Sequence, residues 1–215
     1  MLFRSNLGLM DKDKCFKNPQ TGNLVIAVGG KTGRDGIHGA TFSSGQMTHE
    51  HETIFSHAVQ IGNPIVEKKM LDVILQARDA GLYEAITDCG AGGLSSAVGE
   101  MGEKLGVEVD LDKVPLKYAG LNYTEIWISE AQERMVLSVK PENLDRIMEI
   151  FHSENVEATV IGKFTDDKKL KLRYRDQLAG EIDMDFLHKG VPKYSRRASW
   201  KQPDLSEPSL PQKDN

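Results

Sequence analysis

Cysteine is nearly missing: Cys15 and Cys89 are the only two in 215 residues. That is far below the density of a secreted, disulfide-stapled scaffold, and a reducing cytoplasm is the expected compartment. Basic charge is also in short supply. Twenty-seven Lys and Arg stand against 32 Asp and Glu, a formal charge of -5, so there is no excess to neutralise a phosphodiester backbone and nucleic acid is not an expected partner. Long apolar runs are absent as well. The stretch from Met1 to Met10 holds one Arg and scattered apolar residues and is followed at once by Asp11, Lys12, Asp13 and Lys14. Neither a signal peptide nor a membrane-spanning helix is expected from it. What is there, 39% hydrophobic and 27% charged residues, suits a globular chain with a sizeable core and excludes collagen-like, fibrous and wholly disordered chains.

The order of turn residues and apolar periodicity divides the chain into a lead-in over 1–22, a folded domain over 23–191 and a linker or tail over 192–215, where Pro, Ser, Lys and Asp take over. Leu24 to Val28 reads as a buried strand opening into a glycine-rich loop. Asn63 caps and Pro64 begins a helix in which Val66, Met70, Val73, Ile74 and Ala77 share a face until Gly81. Ala85 to Thr87 predicts a short strand, and Leu94, Ala97, Val98, Met101 and Leu105 a second helix. Val107, Val109 and Leu111 alternate. A strand over Arg134 to Val139, a helix opened by Pro141 with Leu144, Ile147, Met148 and Phe151 on one face, and a strand over Thr159 to Lys163 together predict a βαβ-like unit. Leu170 to Tyr174 and Leu178 to Ile182 follow as an antiparallel meander. The expected class is α/β or α+β, a mixed β-sheet packed with helices.

Four stretches could carry chemistry. Gly30-Lys31-Thr32 follows a strand, but a Walker motif would need its first glycine where Val25 stands. Flexible glycines could still free amides for an anion nest beside Lys31 and Arg34, against the plainer reading of a solvated connection. Asp88 precedes Cys89-Gly90-Ala91-Gly92-Gly93 at a strand end, where a carboxylate can hold Mg²⁺ together with waters and phosphates. Capping of the next helix is the blander role for it. Thr48 to His57 holds three histidines and two glutamates, but His51 and His57 are six apart rather than the four a zincin helix needs, so a surface loop or helix start is preferred. Glu130, Gln132 and Arg134 before the apolar strand could line a cleft and bond hydroxyls or amides, although such residues are more often solvated. Cys89 belongs to no Cys-x-x-Cys pair, which makes it a weak candidate nucleophile.

Read together, Gly29-Gly30-Lys31-Thr32-Gly33-Arg34-Asp35-Gly36-Ile37-His38-Gly39-Ala40, Val59-Gln60-Ile61-Gly62-Asn63-Pro64, Thr87-Asp88-Cys89-Gly90-Ala91-Gly92-Gly93-Leu94-Ser95-Ser96-Ala97 and Ser129-Glu130-Ala131-Gln132-Glu133-Arg134-Met135 resemble the large synthetase subunits of phosphoribosylformylglycinamidine synthases, in the superfamily of aminoimidazole ribonucleotide synthase. The resemblance implies the C-terminal α/β domain of the first of two pseudo-repeated halves. The family amidates formylglycinamide ribonucleotide in purine biosynthesis, using ATP and ammonia from glutamine through an iminophosphate. It implies that Gln60, Glu130, Ala131 and Gln132 bind substrate, with His38 a weaker cleft residue, and that Asp88 binds Mg²⁺. Where the family usually has Ser, Ala131 leaves only a backbone contact. The catalytic histidine, the ATP-binding lysine and the other metal carboxylates belong to a preceding domain, so no catalytic residue is expected in this chain and it should be silent alone.

The cofactors so implied are Mg²⁺ and ATP, the latter held mainly by absent domains. The implied partners are formylglycinamide ribonucleotide, the neighbouring ATP-binding domain and a glutaminase, with no nucleic acid and no membrane; a homodimer through surface left uncovered stays open. Two other readings remain at this stage: a free-standing ligand-binding or interaction module of the same fold, and another enzyme of the superfamily such as a small-molecule kinase. The run Gly33 to Gly39 favours the purine enzyme over the kinase.

Overall fold

The structure is a computed structural model and describes residues 8–12, 15–37 and 62–202. His38, Gln60 and the histidine-rich stretch at 48–57 lie outside the described residues. Strand β1 (Leu24–Gly29) is followed by helix α1 (Pro64–Asp79), β2 (Ala85–Cys89), α2 (Gly93–Met101), β3 (Gly106–Asp110) and α3 (Tyr123–Ile128). Then come β4 (Ala131–Val139), α4 (Leu144–Ser153), β5 (Ala158–Thr165), β6 (Lys169–Tyr174), β7 (Gln177–Asp183) and α5 (Met184–Lys189).

The seven strands form one mixed sheet in the order β2-β4-β1-β5-β3-β6-β7. All neighbours are antiparallel except β3 and β6. The first and last strands of β1-α1-β2 and of β4-α4-β5 are not neighbours. Each pair encloses a strand of the other unit, which is the split βαβ arrangement of ferredoxin-like cores. The expected βαβ unit is therefore present with β1 inserted between its strands. The α2-β3-α3 segment is inserted between the two units, and β6 and β7 extend the sheet past β3.

Alternation along β1 builds two cores, one on each face. Ile26 and Val28 point toward α1 and α4, where Met70, Val73, Ala77, Leu137, Ile147 and Phe151 close a compact cluster. Val25 and Ala27 point the other way, into Leu94, Val98, Ile126, Val136, Ile161, Phe164 and Met184. Because both faces are covered, β1 reads as a continuous apolar run rather than an alternating one. Each of these fully buried Val, Leu or Ile side chains contributes about 1.5–3 kcal/mol relative to exposure.

Local chemistry explains the boundaries. Asn63 accepts from the Ile65 amide and Pro64 opens α1, as the sequence predicts, with Met70, Val73, Ile74 and Ala77 buried. The second helix stops at Met101, short of the expected Leu105, because Gly102 ends it and Leu105 donates its amide to the Gly102 carbonyl at 2.8 Å. β2 runs two residues further than expected and carries Asp88 and Cys89 inside the strand. β4 starts three residues earlier, at Ala131. Helices α3 and α5 were not foreseen. Asn122 and Glu125 form a reciprocal capping box on α3, and the Asp183 side chain caps α5 by accepting from the Phe186 amide.

Candidate functional site

Three loops meet at one end of the sheet: residues 30–37 after β1, residues 88–93 at the end of β2, and residues 129–131 entering β4. Backbone geometry brings them together. The Glu130 amide donates to the Asp35 carbonyl at 2.9 Å, and the Gly92 amide donates to Glu130 Oε1 at 3.1 Å. Gly93 has φ +56, and a Cβ there would collide with the Ser129 carbonyl, so only glycine permits this approach. The pairing of β2 with β4 breaks here as well. Asp88 lies opposite Met135, but Cys89 lies opposite Ala131, so β4 bulges over residues 132–134. Such a bulge redirects side chains next to a site.

Asp88 stays exposed, with Oδ1 accepting from the Gly90 amide at 2.9 Å. It is not the helix cap that its spacing suggested: the N-cap of α2 is Gly92, which has no side-chain bond. Lys17, from the lead-in, reaches the neighbouring Thr87 Oγ1 at 3.1 Å and pairs with Glu100. Among the described residues no three His, Cys, Asp or Glu side chains converge as a metal cluster. An exposed carboxylate on a rigid strand end nonetheless suits one protein ligand to a Mg²⁺ ion that keeps most of its water.

In the described part of the glycine loop, four amides are already engaged within the fold and are not free for an anion. The Gly29 amide donates to the Glu157 carbonyl, Gly30 to Glu133, Thr32 to Pro115 and the Arg34 amide to Tyr118 Oη, all at 2.7–3.0 Å. The two cations also part company. Arg34 pairs with Glu125 at 2.7 Å, donates to the Gly120 carbonyl and stands 5.8 Å from the Tyr118 ring. Lys31 faces a hollow of about 270 Å³ shared with Lys69, Asn155 and Glu157. The Arg34 guanidinium, followed by the Asn122 amide, holds the Glu125 carboxyl below its usual range. Lys117 pairs with Asp35 at 2.8 Å. The charged rim of the 30–37 loop is thus internally neutralised, and its role is to hold the loop still.

Sequence reasoning missed Arg134, which is not solvated but 2% exposed, and the equally sequestered Glu133 beside Gly30. It also missed Asp35, Lys117 and Glu125. The Asn122-x-x-Glu125 pattern of a capping box was the one signal that could have located Glu125. Ala131 is buried, and its neighbour Glu130 is half-buried against the other two loops. Cys89 is buried, and burial pushes its thiol pKa up despite the nearby Arg134, which agrees with its weak standing as a nucleophile.

The profile of the AIR synthase related protein, C-terminal domain, matches residues 20–175. The chain belongs to that family. Its mixed seven-stranded sheet with helices matches the fold of this domain in PurL. This family domain is 38% identical over 212 residues to phosphoribosylformylglycinamidine synthase subunit PurL of Thermoplasma volcanium, covering 96% of this chain and 28% of that protein. It superposes on Thermotoga maritima PurL complexed with FGAR with a TM-score of 0.78 and 32% identity, over 91% of this chain and 33% of the other. The ATP complex of that protein gives 0.72 and 30% over 90% and 30%, and the Thermotoga maritima PurLQS structure 0.74 and 27% over 93% and 32%. The chain therefore spans about a quarter to a third of the length of the PurL proteins it resembles.

Proposed function

We propose that this domain is the substrate- and Mg²⁺-binding lobe of an ATP-dependent carbon–nitrogen ligase that amidates formylglycinamide ribonucleotide. The observation that carries this reading is the convergence of the 30–37, 88–93 and 129–131 loops on Glu130. They are three of the four stretches that resemble the ligase family, and the likeness to a PurL solved with FGAR supports it. In the reaction so implied, the substrate amide oxygen attacks the γ-phosphorus of ATP, giving an iminophosphate and ADP. Ammonia then attacks the imidate carbon and inorganic phosphate leaves. Mg²⁺, when bound, would neutralise phosphate charge. This chain would supply Asp88 as one metal ligand and Gln60, Glu130, the Ala131 backbone and Gln132 as groups that hold the substrate. His38 would be a neighbouring cleft residue.

Phosphoryl transfer needs nucleotide, metal and acceptor clamped in line, and one lobe of a cleft cannot do that. The nucleotide site and the ammonia source are therefore assigned to neighbouring domains and subunits, and the chain alone should turn over no ATP. The work belongs to the cytoplasm on this reading. Among the described residues no helix is long and apolar enough to cross a membrane. The domain bounds of 23–191 and the linker from 192 go with the same proposal; α5 ends at Lys189, and residues 191–202 form no helix or strand.

The test is activity of the complete ligase carrying Gln60→Ala or Asp88→Asn. Each should lower kcat/KM at least a hundredfold with an unchanged melting temperature, and near-normal turnover in both would overturn the assignment. Calorimetric titration of this chain with formylglycinamide ribonucleotide, with and without Mg²⁺, separates the readings further. Binding that Glu130→Ala abolishes supports the lobe, whereas ATP turnover by the chain alone would refute the missing-domain argument.

A further inference from the structure

Arg134 is the largest fully buried side chain among the described residues. A guanidinium removed from water is costly unless a carboxylate and hydrogen bonds compensate it. Here no carboxylate among the described residues forms an ion pair with it. Its compensation is neutral instead. One Nη donates to Thr32 Oγ1 and the other to the Ser129 carbonyl, and both of those residues are themselves 0% exposed. The planar group stands beside the buried Cys89 thiol at the end of β2, while its Nε hydrogen has no partner among the described residues. One side chain therefore touches all three loops of the site: Thr32 in the first, Cys89 leading into the second, and Ser129 next to Glu130 in the third.

We infer that Arg134 is the positioning residue of this site, a rigid fork that fixes where Glu130 stands relative to the 30–37 and 88–93 loops. The fork is what a lysine could not replace. A single ammonium carries three donors at one point, whereas the Thr32 hydroxyl and the Ser129 carbonyl are met by two nitrogens held in one plane. The cost of burying an unpaired cation is understandable if its product is a fixed geometry and not stability, because a well-packed apolar residue would stabilise the corner at least as well. The strand serves the same end: alternation along β4 puts Arg134 on the covered face of Val136, and its pairing with Gly29 sets it beside the glycine loop.

The fork stands on the described geometry. Its consequence for substrate rests on the function proposed above, and the experiment separates the two. Amide hydrogen exchange is measured by NMR on the 215-residue chain and on Arg134→Lys, Arg134→Met and Thr32→Val, together with thermal melting and calorimetric titration with formylglycinamide ribonucleotide. In Arg134→Lys and Arg134→Met the amides of residues 32, 93 and 130 should exchange at least tenfold faster, while Val25 to Val28 and Val136 to Val139 keep their protection. Thr32→Val removes one acceptor and should loosen the 30–37 loop alone. It also carries the test, with Arg134→Lys, should Arg134→Met fail to fold. The substrate dissociation constant should rise at least tenfold in both Arg134 variants.

Wild-type loop protection in Arg134→Lys would overturn the inference, since charge alone would then suffice. Equal acceleration of loops and central strands would also overturn it, since Arg134 would then be a general stabiliser. A parent chain that binds no substrate would count against the proposed function and leave the fork to be decided by exchange.

Discussion

Asp167 organises the turn between β5 and β6 with both of its oxygens. Oδ1 accepts from Thr165 Oγ1 at 2.7 Å and from the Lys169 amide at 3.2 Å, and Oδ2 pairs with Lys171. The Lys171 ammonium is the main reason its carboxyl is held down to about 2. An unfolded aspartate titrates near 3.9. The folded pKa is the lower one, so the stabilisation is complete above about pH 4 and is lost as pH falls from there to about 2. The urea midpoint of the wild type should drop across that window, and Asp167→Asn should lie below the wild type at pH 6 and approach it at pH 2. Parallel curves would show that the turn does not depend on the charge.

The two cysteines make a second contrast at this scale. Cys15 is exposed and Cys89 is buried with its thiol pKa raised. A disulfide-exchange reagent should therefore label one thiol quickly in the native chain and the other only at the rate of unfolding. Two fast thiols would contradict the packing around Arg134. Sequence could rank Cys89 as unreactive from its lack of partners, but it could not reveal Arg134. A guanidinium at the start of a strand is polar by type, and alternation with Val136 gives its face without showing that this face is still covered at residue 134.

Among the elements, those long enough to show a period were legible. Helix α1 announced itself through Asn63, Pro64 and four turns of spaced apolar residues, and β1 through an unbroken apolar run between turn residues. Helices α3 and α5 have six residues each, fewer than two turns, so periodicity has no room to appear and only their caps mark them. Asn122→Ala should remove the bond to the Glu125 amide and loosen the partner of Arg34, costing about 1 kcal/mol in a urea titration. No change would mean that tertiary packing of Ile126 alone holds α3. Gly93→Ala should be worse, because the new Cβ meets the Ser129 carbonyl and the residue would have to keep a positive φ. About 2 kcal/mol or more is expected, with the 88–93 and 129–131 loops displaced from one another.

For the whole molecule, the sheet is a partition between two cores that touch only through the strands. Ile147 lies on the α1 and α4 side and Ile161 on the side of α2 and α3. Ile147→Val and Ile161→Val should each cost about 0.5–1.5 kcal/mol. The double variant should equal their sum within about 0.5 kcal/mol, since the two share no packing neighbours. A larger departure would show that the sheet transmits strain between the layers. The strand order explains why the mixed sheet could be read from sequence while its topology could not. Local patterns identify strands, but the insertion of β1 between β4 and β5 is a pairing across more than a hundred residues, and no local signal records it.

That same insertion shapes how the chain must come into being. Of this sheet, β1 is the first strand to be synthesised and among the last to find its neighbours, because β4 and β5, which close its two edges, end at Val139 and Thr165. At roughly 5–20 residues per second, Val25 to Val28 spends several seconds or more as an unpaired, wholly apolar ribbon. Such a ribbon is the kind of edge that other chains can extend. Helix α1 can form early and shield one face, yet both rows of backbone donors and acceptors stay open. Synthesis of this protein therefore carries a waiting period set by topology, during which its central strand is also its most association-prone segment.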